Sequence, residues 1–238
     1  MKQNIVLLHG LFGGLSNWDS QVASFSVHHN VYIPALPIYD EHQEDILNYL
    51  VHALHNYINA KSMAEVTLIG NSLGGHIAVL YAHRYPETVS SLVLTGSSGL
   101  YENYLIGSFP RRHDYSYIRQ KVRDIFYDPD IATTSLVDSV FATVCDHRKA
   151  VRIIKTARAT QCSYVTDILP DIHKPVLLIW GAQDTVTPPK VAAQFKRLLP
   201  NATLACIEAC GHAPMMEKPV EFNNILAGFL DGLPRANN

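Results

Sequence analysis

Short apolar runs alternate along the chain with longer segments in which apolar residues recur every three or four positions. The apolar runs are NIVLL (4–8), a stretch near 30–33, EVTLIGN (65–71), SSLVLTG (90–96), PVLLIWG (175–181) and ATLACIE (202–208). Helical spacing is found over 17–25, 44–58, 73–83, 190–199 and 219–230. Continuous apolar strands that alternate with helices are typical of a parallel sheet covered on both faces. The pattern therefore predicts an α/β fold with a doubly wound, mostly parallel sheet of about six strands.

One interval lacks this alternation. Residues 100–167 contain no convincing apolar strand and are rich in aromatic, basic and helix-forming residues, with a predicted helix over 149–160. We therefore expect a core formed by residues 1–99 and 168–238, interrupted by an inserted helical cap over 100–167.

The third apolar run ends in the sequence GNSLGG (70–75), which places Ser72 between a strand and a helix. Glycines on both sides of the serine suit a sharp strand-to-helix turn, where only small neighbours allow close backbone packing. Such a serine becomes a nucleophile only with a base, an acid that orients the base, and donors for an oxyanion.

The loops after the other strands supply groups for these functions. The loop after the fifth strand contains Asp184, the loop after the sixth contains His212, and the first strand ends in the glycine-rich turn HGLFGG. No acidic residue lies in TGSSGL, after the fourth strand. Because the carboxyl ends of parallel strands meet at one edge of the sheet, we expect these groups to lie close together.

The four motifs, in this order, resemble the α/β-hydrolase family: GNSLG its nucleophile elbow, HGLFG its oxyanion loop, and WGAQDTVTP and GHAPMMEKP its acid and histidine loops. The resemblance implies that Ser72 is the nucleophile, His212 the base and Asp184 its orienting acid. It implies oxyanion donors at the backbone N–H groups of Leu11 and Leu73, with Phe12 as the alternative to Leu11. The family's first two strands have no counterpart here, and PALPIYDEH replaces a glycine-rich segment that lines the family's pocket.

Three functions are compatible with these residues. The leading prediction is hydrolysis of a carboxylic ester with a small or medium, largely apolar acyl group, through an acyl-enzyme on Ser72. The second is cleavage of a carbon–carbon bond in a ring-fission diketone acid with the same triad, since GNSLGGH resembles the elbow of that group. The third is a ligand-binding or signalling protein of the same fold with little turnover.

Substrate contacts are predicted at Phe12, Met215 and the inserted segment. Arg111, Arg112 and Arg119 lie there among aromatic residues, and one of them could hold a substrate carboxylate. The alternative, which we favour, is a solvated surface balanced by nearby aspartates. His9 is expected to bond backbone beside the oxyanion loop, and His76 is expected to be a hydrogen-bonded core residue.

Composition narrows the class of partner. The chain has 238 residues, is 47% hydrophobic and 17% charged, and carries a net charge of -2, which gives no reason to expect nucleic acid or an anionic membrane. Its N-terminal apolar run is too short for a secretory signal, so we expect a cytoplasmic protein that acts on a small molecule. Cys206, Cys210 and His212 lack a fourth ligand at matching spacing, so no metal is expected, and the chemistry needs no cofactor. The oligomeric state is not predicted.

Overall fold

A computed structural model describes residues 2–42, 45–102 and 109–233 of the protein. In these residues six strands form one parallel sheet in the order β2-β1-β3-β4-β5-β6. The strands are β1 (Asn4–Leu8), β2 (Asn30–Tyr32), β3 (Val66–Asn71), β4 (Val89–Thr95), β5 (Val176–Gly181) and β6 (Ala202–Ile207). The predicted sheet is therefore confirmed, and its described strands are all parallel rather than mostly so.

Helices connect these strands. They are α1 (Asp19–Phe25), α2 (Ile46–Ala60), α3 (Leu73–Arg84), α4 (Tyr115–Arg123), α5 (Thr134–Cys145), α6 (His147–Cys162), α7 (Pro189–Leu198), α8 (Pro214–Glu217) and α9 (Pro219–Asp231). None of the helices in the described ranges is long and apolar enough to cross a membrane.

Side chains that alternate along each strand build a core on both faces of the sheet. In β1, Val6 and Leu8 pack on the face covered by α2, α3 and α7, whereas Ile5 and Leu7 pack on the face covered by α1 and α9. All four are essentially inaccessible to solvent. Burial on both faces explains why the strands are continuous apolar runs instead of alternating ones.

The strand order reverses between β1 and β3. From β1 the chain moves outward to β2, returns to β3 on the other side, and then proceeds to β4, β5 and β6. The carboxyl ends of β1 and β3 therefore border the crevice in which doubly wound sheets bind ligands. Both the glycine-rich turn after β1 and the serine turn after β3 lie at this point.

Helices α4, α5 and α6 lie between β4 and β5, and we call residues 109–167 the helical insertion. Each of the three helices begins with a side-chain cap, supplied by Asp114, Thr133 and Asp146. Helix α6 includes the predicted segment 149–160 and packs on both α5 and α2. Residues 103–108 of the predicted insertion, and residue 44 at the start of the predicted second helix, lie outside the described residues.

Candidate active site

Ser72 lies in a sharp turn between strand β3 and helix α3. Its backbone angles, φ 53° and ψ −118°, are strained for a residue with a side chain. A methyl group on Gly74 would lie 2.2 Å from the carbonyl oxygen of Leu8, so the turn packs directly on β1. The strand, strained turn and helix together form the context that a nucleophile elbow requires.

Asp184 follows β5 and has a buried carboxylate whose direction is fixed by hydrogen bonds. Its Oδ1 accepts from the N–H groups of Val186 at 2.8 Å and Thr187 at 2.9 Å. Its Oδ2 accepts from the Thr187 hydroxyl at 3.0 Å. These three bonds leave Oδ2 aimed at the loop that follows β6.

His212 stands in that loop, and its Nδ1 lies 2.9 Å from Asp184 Oδ2. Burial alone would lower the pKa of the imidazole, because the charged ring loses hydration. The Asp184 carboxylate reverses this effect, and with smaller contributions from Glu102 and Glu217 it raises the pKa of His212 above its ordinary value. With Nδ1–H donated to Asp184, Nε2 is left to accept a proton.

The residue before the serine ties the elbow to the histidine loop. Asn71 Nδ2 donates to the backbone oxygen of His212 at 3.1 Å and to that of Thr95 at 3.1 Å. The Ser72 hydroxyl makes no hydrogen bond to His212 within the described residues. Such bonds are often long without substrate and shorten in the reactive complex.

The turn after β1 lies against the elbow. A methyl group on Gly10 would lie 3.3 Å from Ser72 Cβ. His9 holds this turn as expected: its Nδ1–H donates to the Gly10 oxygen at 2.8 Å, and its Nε2 accepts from the Leu36 N–H at 3.2 Å. Burial lowers the pKa of His9, which keeps the ring neutral for these two bonds.

The predicted oxyanion donors lie in the turn after β1 and at the start of α3. Over residues 2–42, 45–102 and 109–233, no backbone hydrogen bond engages the N–H of Leu11, Phe12 or Leu73. Leu73 is the first residue of α3, where N–H groups have no partner within the helix and attract negative charge. This edge of the sheet therefore offers donors next to the serine.

The predicted substrate residues have different surroundings. Phe12 meets Phe109 of the helical insertion edge to face, with ring centroids 5.2 Å apart. Met215 is buried in the core beside α1 and α9. Phe12 is thus the predicted pocket residue that contacts the insertion, whereas Met215 has the surroundings of a core residue.

The three predicted arginines make other contacts. Arg111 lies over the ring of Tyr117 at 4.5 Å, Arg112 donates to His113, and Arg119 is exposed on α4. None of the three forms a hydrogen bond or ion pair with Ser72, Asp184 or His212 in the described part of the chain. A role of one of them in holding a substrate carboxylate therefore stays a prediction.

Sequence reasoning missed Glu102, an acidic group near His212. It is 9% exposed, and its Oε1 has no hydrogen-bond partner among the described residues. Burial raises the pKa of Glu102, while the Ser98 hydroxyl, the charge of His212 and the Thr160 hydroxyl act in the opposite direction. The segment TGSSGL directly after β4 contains no acidic residue, but the isolated acidic residue in GLYENYL, which begins at Gly99, was a signal for this position.

His76 differs from its prediction. It is completely buried as expected, but neither ring nitrogen has a hydrogen-bond partner in the described structure. A methyl group on Gly99 would lie 3.2 Å from the His76 ring and 3.1 Å from Val165, so its neighbours there are apolar. Burial lowers the pKa of His76 to about 4, which leaves it neutral.

Cys210 is buried, and burial raises the pKa of its thiol to about 12. A neutral thiol is a poor metal ligand. The described residues contain no group of three or more His, Cys, Asp or Glu side chains placed to hold a metal ion.

Comparison with known proteins agrees with the fold. The alpha/beta hydrolase family model matches residues 5–225. The chain is 26% identical to Lipase 3 of Moraxella sp. (strain TA144), over 97% of this chain and 78% of that protein. It is 27% identical to the 2-hydroxy-6-oxononadienedioate/2-hydroxy-6-oxononatrienedioate hydrolase of Paraburkholderia phymatum, over 96% and 87% of the two chains.

A solved structure is also similar. An alpha/beta hydrolase enzyme from the metagenome of sediments of the Mar Chica lagoon, Morocco, is 37% identical over 97% of this chain and 91% of its own, with a TM-score of 0.77. The chain therefore belongs to the alpha/beta hydrolase family, and it is a hydrolase.

Proposed function

We propose that the protein is a serine hydrolase that cleaves carboxylic esters of small or medium, largely apolar acyl groups. The observation that carries this proposal is the 2.9 Å contact between His212 Nδ1 and Asp184 Oδ2, in a loop bonded to the strained turn of Ser72. Ester hydrolysis uses these three residues together with backbone N–H donors for the oxyanion.

The reaction has two steps. His212 Nε2 takes the hydroxyl proton of Ser72 as its oxygen attacks the ester carbonyl, and the N–H groups of Leu73 and Leu11 stabilise the oxyanion. The alcohol leaves with the proton from His212, and an acyl-enzyme remains. His212 then activates water, which releases the acid and restores Ser72. Asp184 holds the ring in the reactive tautomer throughout.

The helical insertion is the proposed cap over this site, with residues 1–99 and 168–238 as the catalytic core. The contact between Phe12 in the predicted oxyanion loop and Phe109 in the insertion supports this arrangement, since it joins the insertion to the turn in which Gly10 approaches Ser72. Aromatic rings at this junction favour an apolar acyl group.

Carbon–carbon bond hydrolysis is the second candidate, because one curated relative carries that activity in its name at 27% identity. Its substrate is a diacid, so this candidate needs a cation at the site. Arg111, Arg112 and Arg119 are the predicted cations. None of them bonds Ser72, Asp184 or His212 in the described residues, which does not favour carbon–carbon bond hydrolysis.

A burst assay with p-nitrophenyl butyrate tests the proposal. Wild type should release a rapid burst followed by steady turnover, whereas Ser72→Ala and His212→Ala should lose several orders of magnitude in kcat. Ser91→Ala is the matched control and should keep the wild-type kcat, because Ser91 is a buried serine of β4 whose hydroxyl contacts Thr67 and not the three proposed catalytic residues. Turnover by Ser72→Ala at the wild-type rate would refute the proposal. A wild type active only on diketone acids would favour the second candidate.

A further inference from the structure

A buried carboxylate joins the loop of His212 to the helical insertion. Glu217, in α8, is 9% exposed. Its Oε1 accepts a hydrogen bond from the Gly211 N–H at 2.8 Å, and its Oε2 accepts one from the Tyr127 N–H at 2.8 Å. Gly211 is adjacent to His212, while Tyr127 follows α4. Short bonds from N–H groups to a carboxylate are among the stronger hydrogen bonds in proteins.

The two segments held by Glu217 are in direct backbone contact. The His212 N–H donates to the Ile125 oxygen at 3.0 Å. A methyl group on Gly211 would lie 2.6 Å from that oxygen and 2.8 Å from the Tyr127 nitrogen, so there is no room for a side chain. The Glu217 N–H is itself bonded to the Ala213 oxygen at 3.0 Å, which holds the backbone of Glu217 close to the loop of His212.

Glu217 also contributes charge to the site. Burial raises the pKa of its carboxyl, whereas the N–H groups of Tyr127 and Gly211 act to lower it. When ionised, it is one of the groups that raise the pKa of His212. Other titratable or charged groups also lie around this junction. They include Asp184 after β5, Cys210 in the same loop, Lys218, Glu221 at the start of α9, Asp128 next to Tyr127, and Glu102 near His212.

We propose that Glu217 is a positioning residue, which holds the loop of His212 against the helical insertion and so keeps the imidazole aligned between Ser72 and Asp184. The proposal rests on the proposed function, because the alignment matters only if His212 is the base. Glu217 itself touches no reacting atom. It acts through the backbone on either side of the junction.

Glu217→Gln tests this role, because glutamine has the same shape but only one oxygen for the two N–H donors. With p-nitrophenyl butyrate we expect kcat to fall at least about tenfold while KM changes less than about twofold. The acid limb of the kcat/KM profile should move to lower pH, since a negative charge near His212 is lost. Glu217→Asp keeps the charge, so it should restore the acid limb but not the full kcat.

Glu221→Gln is the matched control, since Glu221 is exposed in the first turn of α9 and bonds neither segment. It should leave kcat and the acid limb unchanged. A folded Glu217→Gln with the kcat and acid limb of wild type would overturn the role of Glu217. An inactive Ser72→Ala beside that result would leave the proposed function standing, whereas an active Ser72→Ala would remove it.

Amide hydrogen exchange of the wild type gives an independent test if neither Glu217 variant folds. The N–H groups of Gly211, His212 and Tyr127 should exchange slowly and with the same protection, because they belong to one junction. Fast exchange of Tyr127 beside a protected Gly211 would mean that Glu217 does not join the two segments.

Discussion

Asp184 offers two oxygens to four donors, and one of these donors is the proposed base, His212. An amide in its place presents N–H₂ to one of these donors. With Val186 and Thr187 keeping the oxygen, the imidazole must place its hydrogen on Nε2, where it cannot take a proton from Ser72. Asp184→Asn should therefore lower kcat on p-nitrophenyl butyrate by about 10⁴-fold without unfolding the protein, as in the established serine triad.

Two further substitutions serve as comparisons for Asp184→Asn. Thr187→Val removes one donor to Oδ2 and should cost much less in kcat, because both backbone N–H bonds to Asp184 remain. Asp171→Asn changes an exposed aspartate, 3.7 Å from His83, and should have no effect. Wild-type kcat in Asp184→Asn would show that another acid orients His212, and buried Glu102 would then be the first to test.

The elbow depends on the close approach of α3 to the sheet. In Gly74→Ala the new methyl would lie 2.2 Å from a backbone oxygen of Leu8, which a side-chain movement cannot relieve. We expect a loss of about 3 kcal/mol or more in the free energy of unfolding, measured by urea denaturation. Gly228→Ala is the matched control in α9, where nothing lies within 4 Å of the added carbon. It should stabilise by about 0.5–1 kcal/mol, and equal effects of the two changes would contradict the close packing.

How closely the sequence predicts a strand or helix depends on how much of that element is buried. Strands buried on both faces are continuous apolar runs, so they were predicted closely: β1 was expected over 4–8 and is Asn4–Leu8. Helices α4 and α5 were not resolved individually, because in each only two or three residues are buried and the rest face polar surroundings. Both lie within an interval whose composition predicted only that it was helical.

The residues of the candidate site also differ in how well the sequence predicts them. Ser72, Asp184 and His212 could be found because each follows a strand, and the topology of a parallel sheet brings strand ends together. Glu217 had no recognisable signal as a neighbour of His212, and the signal for Glu102 was only its place in the sequence soon after β4. Their positions depend on how loops and a short helix fold back, which has no periodic signal in the sequence.

Buried histidines make the stability of the whole molecule depend on pH. His76 and His9 have lowered pKa values in the folded state because of burial, so below about pH 6.5 the unfolded chain binds more protons. The stability that these two neutral rings give the folded protein is fully present above about pH 6.5 and is lost as the pH falls. Burial raises the pKa values of Glu102 and Glu217, so these two carboxyls have the opposite effect. Because the folded protein binds their protons more readily than the unfolded chain does, they favour folding as the pH falls. His212, with its raised pKa, adds stability that is lost as the pH rises through its folded value.

Substitution of His76 tests the larger of the two losses of stability that His76 and His9 cause as the pH falls. A pKa of about 4 in place of 6.5 corresponds to about 3 kcal/mol lost between neutral pH and pH 4. His76→Leu removes a group whose ring nitrogens have no partner in the described residues, so it breaks no hydrogen bond there. Urea denaturation at intervals from pH 7 to pH 4 should show a flatter decline for His76→Leu than for wild type.

His83→Leu, on the exposed side of the same helix, should follow the wild-type curve. Parallel curves for wild type and His76→Leu would mean that the pKa of His76 is the same in the folded and unfolded protein, which its burial argues against.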